Sequence, residues 1–303
     1  MCYFYTLYGS KNKPISVYII TKKRFRIKHM KTFIVPTDFS ETARNAAIYA
    51  VQIAAEVENA KIILYNVFDK SAAWAEDASK EKNAASLLVE LALESVKTDM
   101  QRIHDNVEIV CVAEHSDSLL DSLEKFAKAQ HADLIIMGIS ETNRVEQVLI
   151  GSNTLDMVNR NVCPVIIVPP HSTYKGIKNV LLASDFKDIE NSLPAKSIQA
   201  VLNIFKSDVH VVNVDSEHFV ELTEEYKEEK AKLELILEGY KTQYSFIRQY
   251  DFVEAINQFA ADKNIDLILT IPKKHSVLSK LFITSHTKKL AYQSELPVVA
   301  IHA

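Results

Sequence analysis

Glycine is scarce in this chain: Gly9, Gly138, Gly151, Gly176 and Gly239 are all there is in 303 residues. Glycine lets backbone turn sharply or come close to a ligand, so a stretch that holds two of the five, Gly138 and Gly151, stands out. Cysteine is rarer still. Cys2, Cys111 and Cys163 form no CxxC pair and leave an odd count, which reads as small core residues in a reducing cytosol. No apolar run approaches the roughly 18–20 residues that cross a bilayer, so no membrane span is expected. Positive charge is not in excess either. A net charge of -4 and a pI near 6.2 argue against a general nucleic-acid binder. No metal-ligand spacing links the ten histidines, and there is no Gly-x-Ser-x-Gly elbow or Walker loop.

What is present is a composition ordinary for a globular protein, 48% hydrophobic and 24% charged, at a length that suits two domains. Residues 1–29 do not match the rest. They lack an amphipathic period and end in the basic cluster Lys22 to Lys28. Their basic residues follow the apolar ones, and no small-residue cleavage site appears, so they are not a signal peptide. They read as an extension upstream of a domain starting at Met30; a basic arm for lipid or nucleic acid is the rival reading.

The most informative stretch is Asp133 to Pro169. The apolar run Leu134 to Met137 ends at Gly138, a polar loop follows, and Gly151 and Ser152 open a helical pattern that Pro164 closes before a second apolar run, Val165 to Val168. From Met30 onward, strand and helix patterns alternate up to this point. Thr32 to Pro36 is followed by a helix with Ala43, Ala46, Ala47, Ala50, Val51 and Ala54 on one face, with Ser40 as its N-cap. Lys61 to Val67 and Val107 to Val112 read as strands. Ala84 to Ile103 and Leu119 to Ala129 read as helices, and a polar connection holds the lone Trp74. Such alternation predicts a parallel sheet with helices on both faces.

After the linker-like PPHSTYKG the pattern restarts. Lys178 to Asp188 echoes the opening strand, with Asp185 in the place of Asp38, and Asp266 to Ala303 echoes the glycine stretch. The later matches share an offset of 133 and the first an offset of 147, so the second copy is shorter by about 14 residues around the Trp74 connection and its helix. The chain divides into an extension (1–29), a first domain (30–170), a linker (171–177) and a second domain (178–303).

In a parallel sheet, ligands sit outside the carboxyl ends of the strands at the switch in strand order. Asp38, Val67 and Gly138 all fall at such ends. Asp38 is expected to accept from an adenine amino group or a ribose hydroxyl. Gly151 and Ser152 would open a helix whose amides suit a phosphate. Each has a structural rival: Asp38 as a turn former, and Gly151 with Ser152 as an ordinary helix start.

These residues resemble the universal stress proteins, in the tandem form with two such domains in one chain. The resemblance covers essentially all of Met30 to Ala303. The nucleotide-binding branch of that family carries Gly, two residues, Gly, nine residues, Gly and then Ser or Thr. Here Gly138, Gly151 and Ser152 keep that spacing, and Asp38 matches the family aspartate after the first strand. Glu141 stands where the middle glycine would be and would repel phosphates unless magnesium intervened. The second domain has Ile271, Lys274, Thr284 and Ser285 at the matching positions and is expected not to bind ATP. Lys273, Lys274 and His275 read as a solvated basic loop. His286 beside Ser285 makes no catalytic pair, because neighbours on a helix point apart.

The resemblance implies two doubly wound α/β domains, Rossmann-like and similar to the adenine nucleotide alpha hydrolases, each with a mainly parallel five-stranded sheet. They would pack as a pseudo-dimer through Val165 to Val168 and Val298 to Ile301. It also implies a cytoplasmic stress-response protein that binds ATP with Mg2+ in the first domain and has no catalytic residues. The alternatives are a nucleotide-free protein-interaction scaffold and a slow ATPase. The expected partners are an adenine nucleotide, a protein of unstated identity and a second tandem chain, not nucleic acid or membrane.

Overall fold

The computed structural model describes residues 7–8, 14–15, 30–68, 78–139, 152–215, 223–249, 251–271 and 296–301, with 7–8, 14–15, 78–84, 152 and 215 described by backbone alone. A short antiparallel pair, β1 (Leu7–Tyr8) with β2 (Pro14–Ile15), stands apart from the rest. The first half runs β3 (Lys31–Pro36), α1 (Glu41–Glu56), β4 (Ala60–Phe68), α2 (Ala78–Ile103), β5 (Glu108–His115), α3 (Leu119–Ala129), β6 (Leu134–Gly138), α4 (Ser152–Asn159) and β7 (Val165–Val168). The second runs β8 (Asn179–Ala183), α5 (Ile189–Ser192), α6 (Ala195–Phe205), β9 (Asp208–Asp215), α7 (Glu224–Ile236), β10 (Thr242–Arg248), α8 (Phe252–Asp262), β11 (Leu267–Thr270) and β12 (Val298–Ala300).

The two sheets are one. Ten strands lie in the order β10-β9-β8-β11-β12-β7-β6-β3-β4-β5, parallel within each half. The seam is the antiparallel pair β7–β12, with Val298 opposite Ile167, Val299 opposite Ile166 and Ala300 opposite Val165. This is the intramolecular pseudo-dimer that the family resemblance implies. Joining them removes two sheet edges that would otherwise be open to other strands.

Sequence explains the local structure. Ser40 caps α1 by accepting from Ala43 N at 3.2 Å, and the alanine face of that helix is buried. Asp133 and Asp266 are counterparts that tie the amino ends of their halves. The Asp133 carboxylate accepts from Thr32 N at 2.9 Å and Lys31 Nζ at 2.7 Å; that of Asp266 accepts from Lys178 N and Asn179 N at 2.8 and 2.9 Å. On the face of α1 and α6, one apolar cluster runs through both halves, from Phe33 and Ile62 through Ile166 and Val299 to Leu182 and Val211. The other face holds two separate clusters, one under α3 and α4 and one under α8.

The segment between the halves is strapped to α1. Asn45 Nδ2 donates to the carbonyls of Pro169 and Ser172 at 3.1 and 3.3 Å, Tyr174 packs edge-on against Tyr49, and its hydroxyl donates to Glu56 at 2.7 Å. The missing length of the second half lies in one helix: α2 has 26 residues and α7 has 13. The sequence pattern overextends α7, expected from Val220 to Tyr240 and found at Glu224–Ile236: Thr223 caps its start by accepting from Tyr226 N at 3.3 Å, and Gly239, at φ 89°, turns the chain beyond its end.

Candidate functional site

Within each half the chain starts in the middle of its sheet, winds outward through two strands and returns to the other side. In the first half the reversal falls between β3 and β6. Strand spacing is about 4.8 Å, so the carboxyl ends of β6, β3 and β4 lie within ~10 Å of one another. Gly138, Asp38 and Val67 occupy those three ends. The structure thus brings three of the five sequence-predicted residues to one sheet edge. Ser152 is the first residue of α4, described by backbone alone. Gly151 lies outside the described residues, as do Glu141, Trp74, Lys273, Lys274, His275, Thr284, Ser285 and His286.

The turn after β3 is a tight relay. Thr37 N donates to Tyr65 O at 2.9 Å, Thr37 Oγ1 accepts from Phe39 N at 3.0 Å, and exposed Asp38 accepts from Ser40 N at 3.0 Å. Phe39 takes the left-handed conformation, φ 66°, which costs a non-glycine residue free energy and persists only where surroundings enforce it. Asn66 holds the turn from β4, donating through Nδ2 to Thr37 O at 2.7 Å. The second half repeats the turn with Ser184, Asp185, Phe186 at φ 48° and Asn213, whose Nδ2 donates to Ser184 O at 2.9 Å. Asp38 is therefore a turn former, as its structural rival predicts, with its side chain still exposed at the edge.

The halves diverge around this shared turn. In the second, Phe186 is 2% exposed and stacks on Phe246, which stands opposite Asn213 in the sheet. In the first, Ala113 stands opposite Asn66 and Phe39 turns outward, 38% exposed. Asn66 itself is buried, and its Oδ1 has no hydrogen-bond partner, an expensive state for a buried acceptor. Asn213 leaves no such orphan among the described residues. His115, at the end of β5 and edge-on to Phe68 at 5.6 Å, also has a buried, unpartnered Nε2. Sequence reading missed both. The signal that was there is the recurrence of Asn66 as Asn213 beside two recurring aspartates.

Gly138 has a steric reason to be glycine. A Cβ there would lie 2.4 Å from the carbonyl oxygen of Thr42, in the first turn of α1. Its own carbonyl accepts from Thr154 Oγ1 at 2.9 Å, which ties α4 to β6. In the second half Ile271 takes the corresponding place, 2% exposed, and the helix that would crowd it is broken into α5 and α6 at Leu193 and Pro194. On the other side of the edge, Tyr65 is buried, stacks on Phe126 at 4.6 Å and donates to Glu114 at 2.5 Å. Burial, reinforced by the Glu114 carboxylate, pushes its phenol well above the ordinary range, so it stays protonated. Among the described residues, no group of three His, Cys, Asp or Glu is placed to hold a metal ion, and no helix is long and apolar enough to cross a membrane.

With that geometry described, comparison with known proteins is informative. The model of the Universal stress protein family matches residues 29–169 and 176–302. Universal stress protein MJ0531 of Methanocaldococcus jannaschii is 28% identical over 142 residues, 46% of this chain and 81% of that relative. The crystal structure of a universal stress protein from Archaeoglobus fulgidus superposes with a TM-score of 0.66 at 17% identity, covering 89% of this chain and 98% of that one. A functionally unknown protein from Pseudomonas aeruginosa PAO1 gives 0.58 at 14% identity, covering 90% and 92%. At such identities the structures speak for the fold.

Proposed function

This chain belongs to the universal stress protein family, and on that premise we propose that its first half binds an adenine nucleotide, ATP with magnesium, and that the protein acts by binding rather than by turnover. The observation that carries the reading is the contrast between the halves at one strand edge. In the first, a buried acceptor without a partner, Asn66 Oδ1, sits beside small Ala113 and outward-turned Phe39; in the second, aromatic rings fill the same level.

The roles follow from chemistry. Asn66 Oδ1 suits an exocyclic amino group such as that of adenine and would meet the 6-carbonyl of guanine as acceptor against acceptor. Asp38 offers a second acceptor at the edge for a ribose hydroxyl. The phosphates would run toward the start of α4, where free amides and the positive dipole end favour an anion. Magnesium is held largely by phosphate oxygens and water in such sites, so the ion would arrive with the nucleotide and offset Glu141. The second half serves as the structural partner of the first.

A nucleotide-free scaffold is the second reading, and Gly138 favours it: the Thr42 carbonyl requires that glycine whatever binds. Calorimetric titration of the full chain with ATP and magnesium, and with GTP, separates the two. The expected result is one site per chain, weaker for GTP and lost in Gly151→Asp. No heat and no shift in melting temperature would overturn nucleotide binding and leave the scaffold. Steady phosphate release would instead make the protein a slow ATPase.

A further inference from the structure

We propose that His115 reads the base alongside Asn66: its Nε2 donates to the ring nitrogen beside adenine's exocyclic amino group, while Asn66 Oδ1 accepts from that amino group. The proposal rests on the nucleotide reading above and adds to it a second, specificity-determining contact. Register brings the two residues together. In the parallel β4–β5 pair Asn66 lies opposite Ala113, and Phe68 opposite His115. Residues two apart on a strand share a face, so Asn66 and His115 continue the face of Leu64 and Ala113, the one covered by α1 and α2. Strands lie about 4.8 Å apart and two residues span about 6.6 Å, which places the two Cα atoms about 8 Å apart. Between them stands Ala113, whose methyl leaves room for the edge of a ring.

Both side chains are held, and both end in an unmet atom. Asn66 Nδ2 is spent on Thr37 O at 2.7 Å, which makes Oδ1 the free end of a buried amide. Phe68 meets the His115 ring edge-on at 5.6 Å, and Ser116 N donates to Phe68 O at 3.1 Å, fixing the strand end just beyond the histidine. Its Nε2 is buried there without a partner among the described residues. Buried polar atoms are rarely left unpaired, so two on one face at one strand end point to a ligand that meets both.

Adenine suits that pair of atoms. The tautomer with its proton on Nε2 makes the imidazole a donor there, and adenine sets an acceptor, N1 or N7, beside its amino donor. Hypoxanthine and guanine carry a carbonyl and a protonated N1 instead, so acceptor would meet acceptor at Asn66. The second half has Phe246 in the place of Ala113 and Arg248 in the place of His115. There a ring stacked on Phe186 occupies the level between the two positions, and a guanidinium replaces the imidazole. The two-point reading therefore belongs to the first half.

Calorimetric titration of the full chain with magnesium and ATP, 1-deaza-ATP or 7-deaza-ATP tests this, on wild type and on His115→Phe, which keeps a ring and removes the nitrogens. Wild type should bind ATP about tenfold more tightly than one of the two analogues. His115→Phe should bind ATP and that analogue equally, because each change removes one side of the same hydrogen bond. His115→Gln, which restores a donor, should recover part of the discrimination. Without nucleotide, His115→Phe should melt no lower than wild type, since an unmet buried nitrogen has gone; a purely structural histidine predicts lower melting and an unchanged penalty for the analogue. Equal binding of all three nucleotides by wild type, or a His115→Phe that keeps the penalty, overturns the role of His115. Either leaves nucleotide binding standing, with a trapped water as the partner of both atoms. A wild-type chain that binds no ATP overturns both.

Discussion

His210 is a titratable group where the fold has least use for a charge. It lies on β9, is 6% exposed, meets Phe259 edge-on at 6.1 Å, and its Nδ1 has no partner. Burial above all, with help from Lys263 and Lys241 and against the opposing pull of Asp208, holds its imidazole below the ordinary value of 6.5. The sign follows from linkage. Below about pH 6.5 the unfolded chain takes up a proton that the native state resists, so stability falls as pH drops from there toward the depressed native value; above it the histidine contributes no slope. The urea midpoint should therefore decline between about pH 7 and 5.5, and His210→Leu should flatten that decline. An unchanged slope in the variant would assign the effect to another group. Cys111 and Cys163 are partly buried against the core clusters rather than inside them, and burial pushes them up to about 11 and about 12; Cys2 lies outside the described residues. Asn66 was not legible in the same way, because an asparagine at a strand end looks like any exposed polar residue until its neighbours are known.

At the level of elements, apolar runs and alanine periodicity placed α1 and the first strands almost to the residue, but β5, expected at Val107 to Val112, runs on to His115. Helix lengths were harder to read: the polar sequence from Ser71 to Asn83 reads as a connection, yet α2 begins at Ala78. Gly138 shows why a glycine can be noticed and still misassigned. Sequence says that something comes close; only the fold says that it is the first turn of α1. Gly138→Ala should force that turn away from β6 and destabilise by about 1–3 kcal/mol in urea unfolding, as overpacking does. A variant as stable as wild type would mean that the turn shifts freely. In the second half Ile271 stands at the matching position, 2% exposed, and the corresponding helix is interrupted at Leu193 and Pro194.

For the whole molecule, the seam was legible through the family resemblance, which the apolar character of both terminal runs supports. Its register, and the single ten-stranded sheet it creates, come from the structure. Val299 is fully buried there, in a cluster that reaches both halves. Val299→Asp should cost several kcal/mol through an unpaired buried carboxylate and lower the melting of both halves together. If only one half melted earlier, the shared cluster would not couple them. The covalent link across this seam has a further consequence. Two separate chains joined through such strands would fall apart on dilution, but the strapped segment from Pro169 to Ile177 makes their meeting intramolecular, at an effective concentration on the order of millimolar for short linkers. A homodimer also has to carry every change twice. Fusion fixes the stoichiometry at one to one and frees each half to change alone, so one can fill its strand edge with aromatic rings while the other keeps an unmet acceptor there.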